Sequence, residues 1–136
     1  MKIQHVDVNY TNQLWPQVEQ FIDAALTHQD DYNIEHVKVF VTDGTWVLIV
    51  AIDDDSVIHG AATVQFYNRP SDRVAFVVTT GGRMIVNQET FDQFSALLKA
   101  FGATYVECAA RESTARLYER VGMKEKYRVV GAKLSA

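Results

Sequence analysis

Residues 110–123 read ARESTARLYERVGM, and the fold is decided here. From about Ser113 to Val121 the run is expected as a short helix. Leu117 and Tyr118 fall in its last turns, and Gly122 stands where a helix stops on a glycine. Glu112 and Arg116 lie four apart with the acid first, and Arg111, Arg116 and Arg120 give the helix a basic face. Such a face is either solvated and laced by weak ion pairs, or a contact for an anionic ligand or partner.

Just before it, Ala103–Ala109 reads as a strand. Before that, Asn87 is suited to cap a helix in which Phe91, Phe94, Leu98 and Phe101 make one apolar stripe, ended by Gly102. Tyr127–Leu134 is expected as a final strand. Towards the N-terminus, Trp46–Ile52 and Val57–Tyr67 are apolar runs joined by the turn formers Asp53, Asp54, Asp55 and Ser56, a hairpin signal. A third run, Val74–Val78, follows the Pro70 turn, so the three form an antiparallel meander. Ile3, Val6 and Val8 suggest a first strand. Leu14, Val18, Phe21, Ile22 and Ala25 then fall on one helical face, with Pro16 expected in the first turn, where its missing donor costs nothing. Asn33–Thr42 fits both periods. Asp43-Gly44 behind it is either a type I′ turn or the stop of a helix capped by Asn33.

Strand, helix, strand, helix, strand after a meander indicates an α/β layer structure with a mixed sheet. The 136 residues suit a single domain, 1–136, with one core. At 48% apolar and 22% charged the chain is too apolar to be disordered. A formal charge of −4 argues against a nucleic-acid module, which needs a basic surface. Cys108 is the sole cysteine, which excludes an internal disulfide and a cysteine-built zinc site and fits a reducing compartment. No signal-length or membrane-length apolar run is present. The expectation is therefore a cytoplasmic protein without a membrane partner, in which the Asn9-Tyr10-Thr11 sequon stays unused.

The ARLYERVGM segment, together with the element order along nearly the whole chain, resembles the GNAT acetyltransferase superfamily. In the family's usual segment an asparagine opens the helix and a phenylalanine follows the glycine. Here Arg111 and Met123 stand there, while Leu117, Tyr118 and Gly122 match. The resemblance implies a GNAT-like mixed sheet with an antiparallel N-terminal meander and flanking helices, and it favours the helix for Asn33–Thr42. It also implies acetyl-CoA as donor and an amine-bearing small molecule or protein as acceptor.

On that resemblance, Tyr118 lies near the thioester sulfur and acts as general acid on the departing thiolate. A phenol of unperturbed pKa near ~10 matches a thiolate of comparable basicity. Packing of the ring against the sheet is the alternative. The main chain at Val77 and Val78 would hold the acyl carbonyl and the pantetheine arm. GNAT enzymes then place a glycine-rich turn, opened by a basic or glutamine residue, whose amides at a helix N-terminus hold the coenzyme A pyrophosphate. Here residues 79–88 read TTGGRMIVNQ. Gly81 and Gly82 allow close approach and Arg83 supplies a cation, but Met84, Ile85 and Val86 replace the loop. The segment is either a divergent phosphate cradle or a glycine turn joining strand to helix.

The third meander run has no titratable residue, which leaves Glu107 and His59 as the nearest candidates for a base. His28, Asp30, Asp31 and His36 resemble metal ligands in composition only, and no metal is expected. Two functions stay open: an N-acyltransferase with a degenerate phosphate loop, or a non-catalytic interaction protein. The second is similar to small phage-encoded GNAT-like proteins, some of them virion-associated, which would put the chain in a host cytoplasm or a virion with a protein partner. The apolar edge at Tyr127–Leu134 is suited to pair with another copy as a homo-oligomer.

Overall fold

The computed structural model describes residues 1–27 and 31–135, so His28 and Asp30 lie outside the described residues. The elements run β1 (Lys2–Val6), α1 (Val8–Ala25), α2 (Ile34–Thr42), β2 (Val47–Ile52), β3 (Ile58–Asn68), β4 (Arg73–Gly82), α3 (Gln88–Ala100), β5 (Tyr105–Cys108) and α4 (Glu112–Glu119). The five strands form one sheet in the order β1-β2-β3-β4-β5. All neighbours are antiparallel except β4 and β5, which run parallel across the α3 crossover. This is the expected α/β layering with a mixed sheet.

Local chemistry sets the element boundaries. Asp7 accepts the Asn9 amide at 2.9 Å and caps α1, so Val8 opens the helix instead of extending β1. Pro16 lies inside α1, not in its first turn as expected. Its side faces solvent, where water can take the carbonyl bond that the ring leaves unmade. Asn33 and His36 form a reciprocal cap, and Gly44 takes a left-handed φ of +84°, so Asn33–Thr42 is a helix with a glycine stop.

The apolar positions split into two cores, one on each face of the sheet. Trp15, Val18 and Ile22 of α1, with Val37 and Val41 of α2, bury against Leu48, Val50 and Ala61. Each of the large side chains contributes about 1.5–3 kcal/mol by leaving water. On the other face Phe94 and Leu98 of α3 and Tyr118 of α4 cover Ile49, Ala62, Val64, Ala75 and Val77.

Two further expectations are corrected. β4 does not end at Val78 but runs to Gly82, because its ladder with β3 continues through Gly81 and Gly82. Tyr127–Leu134 is not a strand: residues 124–135 have no regular structure. A β-rich composition makes a strand only where an edge takes up its main-chain groups, and β5 offers four residues that this segment does not pair with.

Candidate functional site at the beta4–beta5 opening

The register of β4 creates an opening. Thr63 pairs with Thr79 and Val64 with Val77, which leaves Val78 as a bulge outside the β3 ladder. On the other side, β5 pairs only with Val74–Val77. Val78 therefore pairs with neither neighbour, and from Thr79 to Gly82 β4 has a partner on one side only. α4 then folds back beneath this opening and inserts Tyr118.

Tyr118 is 7% exposed. It lies with Val77, Ile85, Phe94, Val106 and Cys108 around an apolar cavity of about 10 Å³, the space of a single water. Burial, reinforced by Cys108 and opposed by the Thr80 side chain, pushes its pKa up to about 12. Burial likewise pushes the Cys108 thiol up to about 11. The opening thus holds a neutral phenol and a neutral thiol, a proton donor beside an inert sulfur.

Gly81 and Gly82 lie in the β4 ladder opposite Ala61 and Gly60. A Cβ on Gly81 would overlap the main-chain carbonyl of Phe21, and one on Gly82 would come within 2.6 Å of the Phe21 ring. The pair lets α1 sit directly on β4. Arg83 is exposed, while its amide donates to the His59 carbonyl at 2.8 Å. Met84 and Ile85 are buried. At the start of α3, Asn87 Oδ1 accepts the Thr90 amide at 2.9 Å, and Thr90 Oγ1 accepts the amides of Val86 and Asn87 at 3.0 and 3.2 Å. The first turn of this helix is capped by its own side chains.

Neither candidate base is unpaired. His59 is left out of the β2–β3 ladder by a second irregularity, and its Nε2 lies 2.7 Å from Asp53 Oδ2. The His59 hydrogen bond, aided by main-chain donors, lowers the Asp53 pKa. Glu107 takes both guanidinium nitrogens of Arg69, accepts the Tyr67 hydroxyl at 3.1 Å and has Lys126 Nζ at 3.5 Å. Arg69 holds the Glu107 carboxyl below its usual range against an opposing effect of burial. Burial, with Glu107 alongside, raises the Tyr67 phenol. Side chains alternate along a strand, so Glu107 faces away from the surface where its neighbour Cys108 meets Tyr118.

No family model matches the sequence, and no curated protein matches it. Solved structures do match over the whole chain. A probable acetyltransferase superposes with a TM-score of 0.70 at 14% identity, covering 100% of this chain and 98% of its own. An aminoglycoside acetyltransferase from an uncultured soil metagenomic sample gives 0.69 at 14%, with coverages of 99% and 95%. A ribosomal-protein-alanine N-acetyltransferase from Brucella melitensis biovar Abortus 2308 gives 0.69 at 11%, with coverages of 98% and 100%.

This chain has the GNAT fold.

Within the GNAT fold, the residues singled out from sequence divide into three neighbourhoods. Tyr118 and Val77 line the cavity at the opening, while the Val78 side chain packs into the α1–α2 core on the other face. Gly81, Gly82 and Arg83 line the route from there towards α3, with His59 across the ladder. Glu107 stands on the opposite face in its own ion network. Sequence reasoning missed Thr80, whose side chain bears on the Tyr118 phenol, and the network residues Tyr67, Arg69 and Lys126. Alternation along β3 could have placed Tyr67 and Arg69 on one side, but nothing in the sequence pairs them with Glu107. Among the described residues no group of three or more potential metal ligands is gathered, and no helix is long and apolar enough to cross a membrane.

Proposed function

We propose that this GNAT-fold chain is an acyl-coenzyme A-dependent N-acyltransferase acting on an amine-bearing acceptor. The observation that carries this reading is the unpaired side of β4 from Val78 to Gly82, lying beside the buried hydroxyl of Tyr118. An acyl thioester supplies an activated carbonyl. The main chain at Val77 and Val78 would bind its acyl end in the manner of an added strand, and the exposed Arg83 would offer a cation to the diphosphate. Tyr118 keeps its proton throughout the physiological range and can pass it to a departing thiolate. Glu107 is held by Arg69 and Lys126 and His59 by the Asp53 carboxylate, so the acceptor's proton would leave through ordered water at the opening.

One observation favours a second reading, a binding protein without catalysis. The Asn87–Thr90 cap engages amides at the very helix start that would otherwise receive a diphosphate. A thermal-shift titration with acetyl-CoA separates the two. Ligand at ~100 times its dissociation constant stabilises a protein that binds it by about 2.7 kcal/mol, the gain expected of the acyltransferase. Thiol release is then measured against amines of the kinds named for the neighbours, aminoglycosides and an N-terminal alanine peptide. The absence of any shift at millimolar acetyl-CoA rejects the acyltransferase reading and leaves the binding one.

A further inference from the structure

A count along the ladder locates the bulge in β4. Between the pairs Val64–Val77 and Ala61–Gly81, β3 has two residues, Ala62 and Thr63, while β4 has three, Val78, Thr79 and Thr80. One of the three must fall out of the ladder. Gly81 holds the far end of this interval, because α1 rests on it and a Cβ there would overlap the Phe21 carbonyl. A regular ladder would bring Thr80 to that place opposite Ala61, so the extra residue is obligatory.

Which residue is released depends on Thr63. Its neighbours Ala62 and Val64 belong to the core under α3 and α4, so by alternation Thr63 faces α1, where it is fully buried. A hydroxyl there needs a partner. Thr79 Oγ1 lies 2.7 Å away, in a residue that is itself buried. If Thr79 or Thr80 were the extra residue, Val78 would stand opposite Thr63 and meet the hydroxyl with an isopropyl group. Instead Val78 and Thr79 both turn to the α1 side, and Thr80 turns back, its side chain bearing on the Tyr118 phenol. Two buried hydroxyls bonded to each other add little net stability over two methyl groups; their contribution is register.

We propose that Thr63 and Thr79 are positioning residues: their hydroxyl pair makes Val78 the residue released from β3, so that free main chain begins where β5 lets go of β4 at Val77. Moved to Thr79 or Thr80, the release would start about 3–7 Å further along the strand, away from the Tyr118 cavity. The link to the acyl donor rests on the acyltransferase reading; the placement of the bulge does not.

The test compares the full chain with Thr63→Val/Thr79→Val and with Thr63→Ser/Thr79→Ser, by cross-strand nuclear Overhauser contacts and by titration with acetyl-CoA. Position 63 is expected to face position 79 in the wild type and the serine pair. In the valine pair it should face position 78, with the melting temperature close to wild type. The dissociation constant for acetyl-CoA should rise about 5- to 30-fold in the valine pair, the equivalent of one or two lost main-chain hydrogen bonds, and return with the serines. A valine pair that melts far below the wild type, or that keeps 63 opposite 79, overturns the proposal. So does a shifted ladder that binds acetyl-CoA as the wild type does. A wild type indifferent to acetyl-CoA strikes the acyltransferase reading alone, and the Overhauser contacts still decide whether the threonines place the bulge.

Discussion

No side-chain atom separates Gly81 from the backbone of Phe21: a methyl group on that glycine would occupy the space of the Phe21 carbonyl. Helix α1 therefore rests on β4 at a point where only hydrogen fits. Gly81→Ala is expected to push the helix away and to destabilise the fold by about 1–3 kcal/mol or more, read from urea unfolding. A loss of acetyl-CoA binding in that variant reports on packing as well as on any phosphate contact. Arg83→Ala is the cleaner probe, since its side chain is exposed; it should leave stability unchanged and raise the dissociation constant.

Tyr118 serves the fold through its buried ring and the proposed chemistry through its hydroxyl. Tyr118→Phe keeps the ring and is expected to change stability by less than about 1 kcal/mol. If Tyr118 delivers the proton to the thiolate, turnover should fall about 10²- to 10⁴-fold while acetyl-CoA binding persists. Undiminished turnover would assign the ring to packing alone.

Alkaline pH should unfold the protein by a defined route. Tyr118 and Cys108 are raised from 10.0 to about 12 and from 9.0 to about 11, so the folded state holds both protons more tightly than the unfolded chain. Their contribution is complete below the unfolded values and is lost as pH rises through the window up to the folded ones. The melting temperature is expected to fall steeply above about pH 9–10. Cys108→Ser should flatten the first part of that decline.

At the acid end the sign reverses. Glu107 is held below its ordinary 4.5, chiefly by Arg69. The stabilisation from this network is fully present above that value and is lost as pH falls through the lower folded one. Glu107→Gln should lower the melting temperature at pH 7 and make it less sensitive to acid, as followed by circular dichroism from pH 7 to 3.

Thr63 and Thr79 hydroxyls meet at 2.7 Å, fully buried across the bulge. Either Thr→Val change alone strands one hydroxyl and should cost about 1–3 kcal/mol. The double substitution removes both partners and should be nearly neutral, a coupling that a double-mutant cycle in urea would reveal.

The parts of the fold legible in the sequence were those fixed by local chemistry. Asn33, Asn87 and Gly44 marked helix ends, and the Asp53–Ser56 cluster marked a hairpin, because caps and turns depend on residues a few positions apart. Tyr118 was legible through its place between Leu117 and Gly122. What escaped depends on distant partners. The extension of β4 through Gly81 and Gly82 is decided by Gly60, Ala61 and Phe21. The ion network of Glu107 is assembled from Tyr67 and Arg69, about forty positions upstream, and from Lys126 downstream. Tyr127–Leu134 had the composition of a strand, but composition does not reveal whether an edge is available to it. The bulge at Val78, on which the proposed chemistry rests, leaves no mark in a run of apolar residues.

The two cores are completed at different points along the chain. Every residue clustered between the sheet and α1–α2 precedes Thr79, whereas the opposite core needs Phe94, Leu98 and Tyr118. During synthesis, the N-terminal part up to Val78 can thus collapse on one side while its other side stays bare until the ribosome has delivered α3, β5 and α4. A chain stalled near Gly82 would carry a half-finished, sticky sheet, and this interval in translation is when a chaperone would matter most.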